Sequence, residues 1–103
     1  MYSFIETKLF TRLVGELLTD DEYSRLQTAL IENPDAGDVI QGSGEVRKLR
    51  WGMAGRGKRG GLRVIYYART RQGHIWLLTL YAKNVMETIS AKALRLIKDE
   101  IDG

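Results

Sequence analysis

Cations are concentrated in one stretch of the sequence, residues 46–71, which reads VRKLRWGMAGRGKRGGLRVIYYARTR. It contains nine of the sixteen Lys and Arg residues and no acid, whereas residues 16–45 contain eight acids and one Arg. Arg donates to phosphate oxygens through two parallel N–H groups, and Lys supplies a compact charge. Aromatic residues interleave with these cations, a combination typical of surfaces that bind phosphates and exposed bases. The stretch therefore indicates a surface for a polyanion.

Strand periodicity decides which of these side chains can act together. Alternation from residue 46 places Lys48 and Arg50 on one face of a strand, and it places Arg63 and Tyr67 on one face of the next strand. If a hairpin pairs the two strands, cations from both converge on one phosphate. Crowded like charges also lower the pKa of a lysine, so such a cluster can both bind and catalyse. The alternative interpretation is a solvated strand pair whose charges protect a sheet edge.

A glycine-rich basic loop separates the two strands. The segment 55–61, GRGKRGG, joins strand to strand and lacks the GKS or GKT ending that opens a helix, so a nucleotide-binding P-loop is not expected. This basic loop either folds around RNA or is a long hairpin connection without a binding role. His74 is the sole histidine and begins a strand without neighbouring acids, so we expect no metal site there.

Composition excludes several classes of function. The absence of cysteine removes disulfides, thiolate catalysis and cysteine-based zinc sites. No apolar run approaches the ~20 residues that span a bilayer, and the first residues lack the pattern of a signal peptide. We therefore expect a cytoplasmic protein with no membrane association, folded as one domain over residues 1–103.

The periodicity along the chain predicts an α+β fold. A short strand around Phe4 precedes one helix, and a capping box at Thr19 to Glu22 starts a second helix that stops at Asn33-Pro34. Residues 35–44 are expected to be a polar link. Three strands of an antiparallel meander follow, at residues 46–51, 62–68 and 74–83, and the third is apolar enough to be covered on both faces. Ser90 caps a last amphipathic helix.

These elements and motifs resemble the RelE/ParE superfamily of bacterial toxins, and within it the HigB-like RelE toxins. The resemblance rests on KLRW at 48–51, GRGKRGGLRVIYY at 55–67, LLTLYAKN at 77–84 and the serine-capped helix that follows. It covers essentially the whole chain. It implies a RelE-like fold in which an N-terminal strand and two helices pack on an antiparallel sheet, with a C-terminal helix.

The resemblance also implies a ribosome-dependent mRNA endonuclease that uses no metal or other cofactor. In such toxins a 2′-hydroxyl attacks the adjacent phosphate and leaves a 2′,3′-cyclic phosphate and a 5′-hydroxyl. The implied partners are the ribosome, mRNA and a cognate antitoxin of the helix-turn-helix type. Carried over by position, the implied catalytic residues are Lys48, Arg63 and Lys83, with Arg63 gripping the scissile phosphate. The expected RNA-binding residues are Arg50, Arg56, Lys58, Arg59, Tyr67 and Tyr81.

The chain also departs from some relatives. Several ribosome-dependent relatives carry Tyr or His shortly after the last strand, where this chain reads NVMET at 84–88. Val46 occupies a position that is basic in some of them. The general acid and base therefore stay open, with Tyr67 and Tyr81 as substitutes if the geometry permits. Two further functions stay open as well: a ParE-like inhibitor of DNA gyrase and a non-catalytic RNA-binding module.

Overall fold

Five strands and three helices make up the described part of the protein, which in this computed structural model comprises residues 2–52, 61–83 and 90–102. A single 3-10 turn at Thr70–Gln72 joins the last two strands. In chain order the elements are β1 (Ser3–Glu6), α1 (Lys8–Leu17), α2 (Asp20–Glu32), β2 (Asp38–Val39), β3 (Arg47–Trp51), β4 (Leu62–Arg69), β5 (His74–Ala82) and α3 (Ala91–Asp102).

The strands form one sheet in the order β1-β5-β4-β3-β2. Strands β2 to β5 pair antiparallel, which confirms the meander, whereas β1 lies parallel to β5 and makes the sheet mixed. The polar link expected at residues 35–44 contains a short strand that was not predicted, because Asp38 and Val39 pair with Lys48 and Arg47. A strand of two residues is too short to show alternation, so the pattern could not reveal it.

Hydroxyl caps fix the starts of all three helices. Thr19 Oγ1 accepts from the amide of Glu22, and Glu22 Oε1 accepts from the amide of Thr19, at 3.1 and 2.8 Å, which confirms the capping box. Ser90 Oγ accepts from the amide of Ala93, as predicted. Thr7 Oγ1 accepts from the amide of Phe10 and donates to the carbonyl of Leu78 at 2.8 Å, so this cap also ties α1 to β5.

The sheet carries apolar residues on both faces. The face toward α1 and α2, called the α1/α2 face, holds the larger cluster, in which Phe10, Leu26 and Tyr66 are fully buried. The opposite face, called the α3 face, packs a smaller cluster against Leu94 of α3. Strand β5 contributes to both clusters, which confirms that it is covered on two sides. None of the described helices is long and apolar enough to cross a bilayer.

Tyr66 fixes the connection between α2 and β3. Its hydroxyl donates to the carbonyl of Pro34 at 2.7 Å and accepts from the amide of Gly37 at 2.9 Å. Burial raises the pKa of this phenol, so it stays a neutral donor and acceptor. A Cβ at Gly37 would lie 2.9 Å from the Tyr66 ring and 3.0 Å from the carbonyl oxygen of Lys48, so only glycine permits this approach. The contact holds β2 against β3.

Candidate functional site

The glycine-loop end of the α3 face brings together side chains from three adjacent strands. Arg63 on β4 lies directly opposite Arg50 on β3 and directly opposite Tyr81 on β5. Residues in directly opposite positions point to the same face, with Cβ atoms about 4.5–5.5 Å apart. Arg50, Arg63 and Tyr81 therefore form one row across the sheet.

Two lysines flank this row on the same face. Lys48 precedes Arg50 by two residues and pairs with Ile65, so it is a diagonal neighbour of Arg63. Lys83 follows Tyr81 by two residues, and its amide donates to the carbonyl of Gly61 at 3.2 Å, which continues the ladder of β5 with β4. We call the five residues Lys48, Arg50, Arg63, Tyr81 and Lys83 the basic face.

Exposure differs across the basic face. Lys48, Arg50 and Lys83 are exposed, whereas Arg63 and Tyr81 in the middle are half-buried. Arg63 Nη1 donates to the carbonyl of Leu62 at 3.3 Å. Like charges at directly opposite positions, as in Arg50 and Arg63, are destabilising in themselves, and an anion between them offsets that cost. The arrangement is suited to a phosphate group held over Arg63.

Helix α3 covers the other end of the same sheet face. Tyr67 is 6% exposed and belongs to the apolar cluster beneath this helix, and its hydroxyl donates to both carboxylate oxygens of Asp102 at 2.9 and 3.1 Å. Tyr67 was expected to contact RNA, but its side chain is enclosed in the core beneath α3. Tyr67 anchors the C-terminal end of α3 instead.

Asp102 is the centre of this anchor. Its carboxylate also pairs with Lys98 Nζ at 2.9 Å and with Arg69 Nε at 3.2 Å. The hydrogen bond from Lys98 is the main reason that the pKa of Asp102 lies below its ordinary value, and the same bond raises the pKa of Lys98. Burial, followed by the hydrogen bond to Asp102, raises the pKa of the Tyr67 phenol. The anchor keeps α3 on the sheet.

Two cations of the basic stretch have structural partners. Arg69 serves the α3 anchor, and Arg47 lies on the α1/α2 face, where its Nη1 donates to the carbonyl of Gly37 at 2.6 Å and its Nη2 pairs with Asp35 at 3.4 Å. Alternation already separates Arg47 from Lys48 and Arg50, so its distinct role was visible in the sequence. The partner of Arg69 lies far along the chain and left no local signal.

The remaining sequence predictions concern His74, a metal site and the glycine loop. His74 pairs with Arg69 and Ser3 at the end of the sheet away from the glycine loop, as its position in the sequence indicates. No three His, Cys, Asp or Glu side chains among the described residues come together as a metal site requires. The expected RNA contacts Arg56, Lys58 and Arg59, and the segment 84–88, lie outside the described residues.

A mixed five-stranded sheet, with a helical hairpin on one face and clustered cations on the other, defines a small α+β protein with a surface suited to a polyanion. A family model described as the RelE toxin of the RelE/RelB toxin-antitoxin system matches residues 4–100. The chain therefore belongs to the RelE toxin family, and this membership implies a cognate antitoxin as its partner.

Proposed function

We propose that this toxin is a ribosome-dependent mRNA endoribonuclease that inhibits translation. The observation that carries the proposal is the basic face, on which Arg63 lies between Arg50 and Tyr81, with Lys48 and Lys83 beside it. Membership of the RelE family supports the same reaction class. The proposed reaction is attack of a 2′-hydroxyl on the adjacent phosphate, without a metal, giving a 2′,3′-cyclic phosphate and a 5′-hydroxyl.

The chemistry of this reaction assigns roles to the basic face. The pentacoordinate phosphorane carries more negative charge than the phosphate diester, so cations fixed beside it stabilise the transition state more than the substrate. Arg63 is the proposed main contact to the phosphate, because it is half-buried and central in the row. A side chain that is partly removed from water interacts more strongly with the developing charge.

Two proton transfers must accompany the attack. One group removes the proton of the 2′-hydroxyl, and another gives a proton to the departing 5′-oxygen. Lys48 and Lys83 lie on two sides of Arg63 and are the proposed groups for proton transfer or charge stabilisation. The phenol of Tyr81, directly opposite Arg63, is a further candidate, whereas Tyr67 is enclosed beneath α3.

The peripheral cations are proposed to hold RNA by its backbone. Arg50 is exposed on β3 and can reach a neighbouring phosphate while Arg63 holds the scissile one. The proposal keeps Arg56, Lys58 and Arg59 of the glycine loop in the same role, because their charge contributes sequence-independent affinity for ribosomal or messenger RNA.

The proposal is tested by Arg63→Ala, with Arg71→Ala as the matched control. Arg71 belongs to the same basic stretch but is exposed at the opposite end of the sheet. We expect Arg63→Ala to lower the rate of mRNA cleavage on programmed ribosomes by about 10² or more, the loss seen when a transition-state donor is removed. Arg71→Ala should cleave within about twofold of the parental rate, since an exposed side chain away from the site contributes little.

The chemistry of the product ends gives an independent check. A fragment ending in a 2′,3′-cyclic phosphate, followed by a fragment beginning with a 5′-hydroxyl, is the expected pair. Cleavage by Arg63→Ala at the parental rate would refute the site. Intact messages together with DNA-damage signalling after expression would replace the proposed function with gyrase inhibition.

A further inference from the structure

Strand β5 contains a bulge at Leu78. On one side of it Leu77 lies opposite Tyr66, and on the other side Thr79 lies opposite Ile65, so Leu78 is an extra residue in the ladder with β4. Successive side chains of a strand point to opposite faces, so one extra residue reverses the face of every side chain that follows. The bulge therefore decides which residues at the end of β5 reach the basic face.

The two apolar clusters show this reversal. Leu77 and Leu80 both belong to the cluster on the α1/α2 face, although their separation in sequence is odd. Leu78 and Tyr81 have the same separation and both lie on the α3 face. Unbroken alternation from Leu77 would send Tyr81 and Lys83 into the α1/α2 core and would bring Leu80 to the basic face. The bulge is therefore what places Tyr81 and Lys83 on the basic face.

Thr7 supports the bulge from the adjacent chain segment. Strand β1 pairs with β5 until Glu6 lies opposite Leu77, and the chain then leaves the sheet at Thr7 to begin α1. The amide of Thr7 donates to the carbonyl of Leu77 at 3.1 Å, and its hydroxyl donates to the carbonyl of Leu78 at 2.8 Å. The same oxygen accepts from the amide of Phe10 at 3.0 Å. One hydroxyl therefore caps α1 and satisfies the extra residue of β5.

The bulge is accompanied by a cost, which the contact from Thr7 limits. Thr79 is 2% exposed on the α3 face, and its hydroxyl has no hydrogen-bond partner among the described residues. A buried hydroxyl without a partner lowers stability. Loss of the Thr7 hydroxyl would also take the bond from the part-buried carbonyl of Leu78. Bulges recur beside functional sites, where they redirect a side chain, so a bulge retained just before Tyr81 points to a role in the basic face.

We propose that Thr7 is a positioning residue for the basic face. Its hydroxyl holds the carbonyl of Leu78, and the bulge held in this way keeps Tyr81 and Lys83 on the same side of the sheet as Arg63. Thr7 lies at the start of α1 and does not itself belong to the basic face. The predicted effect on cleavage rests on the proposed function, whereas the predicted effect on β5 is independent of any reaction.

The test compares Thr7→Val with Thr19→Val. Valine has nearly the shape of threonine but no hydroxyl, and Thr19 caps α2 as Thr7 caps α1. The Thr19 hydroxyl accepts from the amide of Glu22 within the same helix start. Both variants therefore lose a helix cap of similar worth, and Thr7→Val also loses the contact with β5.

Two further variants separate the cap from the bulge. Thr7→Asp retains a side chain that caps helices well, but an ionised carboxylate accepts hydrogen bonds and cannot donate to the carbonyl of Leu78. It keeps the test decisive if Thr7→Val does not fold. Thr7→Ser retains both the donor and the acceptor and should behave like the parental protein.

The first measurement is hydrogen exchange at the amides of Tyr81 and Lys83 in the toxin alone. The Lys83 amide donates to the carbonyl of Gly61 at 3.2 Å, and the Tyr81 amide points to β4 in the same way. Both amides should exchange at least about tenfold faster in Thr7→Val and Thr7→Asp than in Thr19→Val, because the end of β5 opens locally when the bulge is not held. Equal exchange in the position 7 and position 19 variants would overturn the proposal.

The second measurement is cleavage of mRNA on programmed ribosomes. Thr7→Val and Thr7→Asp should lower kcat at least about tenfold and leave KM within about twofold, because Tyr81 and Lys83 are proposed to act on the reacting phosphate while other cations hold the RNA. Thr19→Val and Thr7→Ser should retain the parental kcat. Faster exchange with an unchanged kcat would overturn the positioning role. A parental toxin that left mRNA intact would refute the proposed function instead, and amide exchange alone would then decide whether Thr7 holds the bulge.

Discussion

The two faces of the sheet use the same strands for different purposes. On the α1/α2 face, alternate residues of β3, β4 and β5 complete a core in which Phe10 and Leu26 are fully buried. On the α3 face, a smaller apolar cluster lies beneath α3 and extends to Tyr81, and cations occupy the end beside the glycine loop. Because period two sends neighbouring residues to opposite faces, we expect substitutions to alter stability and the proposed activity separately.

The largest expected effect on stability lies on the α1/α2 face. Phe10→Ala should reduce the free energy of unfolding by about 3–5 kcal/mol, because it removes a fully buried ring and leaves a cavity. Arg50→Ala, on the exposed end of the other face, should change it by no more than about 0.5 kcal/mol. Chemical denaturation measures both. Similar losses for the two variants would contradict the division between the faces.

The next effect concerns the base of the hairpin that aligns Arg50 with Arg63. Gly61 has φ of +59°, and a Cβ there would collide with the carbonyl oxygen of Trp51. Gly61→Ala should lower the free energy of unfolding by at least about 2 kcal/mol, since the left-handed conformation alone costs a residue with a side chain about 1–2 kcal/mol. It should also lower cleavage by displacing the paired strands.

Gly52→Ala is the matched control for the hairpin. Gly52 lies at the other side of the same base, and a Cβ there meets no described atom within 4 Å. Denaturation should show a change within about 0.5 kcal/mol, and cleavage should be retained. Equal losses in the two variants would show that the hairpin base is not constrained as we describe.

The smallest effect concerns the α3 anchor. Asp102→Asn should lower stability by about 1 kcal/mol or less at neutral pH, because its ion pairs are partly exposed. The pKa of Asp102 is lowered in the folded protein, so its contribution is fully present above the ordinary value of 3.8 and is lost as the pH falls through the lower folded value. The stabilities of the parental protein and Asp102→Asn should therefore begin to converge below pH 3.8 and become equal below the lowered pKa of the folded protein. A difference in stability between the two proteins that persisted in acid would contradict the role assigned to the Asp102 carboxylate.

Local patterns predicted most of the elements. Alternation located β3, β4 and β5, and capping residues located the starts of α2 and α3, because these signals depend only on near neighbours in sequence. The parallel pairing of β1 with β5 was not predicted, since strand order depends on contacts between distant segments. The two-residue strand β2 was missed for want of any periodicity.

The candidate site was predicted less completely than the fold. Alternation assigned Lys48, Arg50 and Arg63 to a common face, and the register agrees with that assignment. The same reasoning placed Tyr67 with them, since alternation identifies the face but not what covers each part of it. Only the position of α3 shows that Tyr67 lies beneath a helix.

The most direct test of the central claim is a double-mutant cycle between Arg63 and Lys83, read as the rate of mRNA cleavage on programmed ribosomes. If both side chains stabilise the same phosphate, the double variant Arg63→Ala/Lys83→Ala should reduce the cleavage rate by a smaller factor than the product of the two single-variant reductions. The expected coupling free energy is at least about 1 kcal/mol. The pair Arg63→Ala and Arg71→Ala should be additive. Additive losses for Arg63 and Lys83 would contradict a shared phosphate site on the basic face.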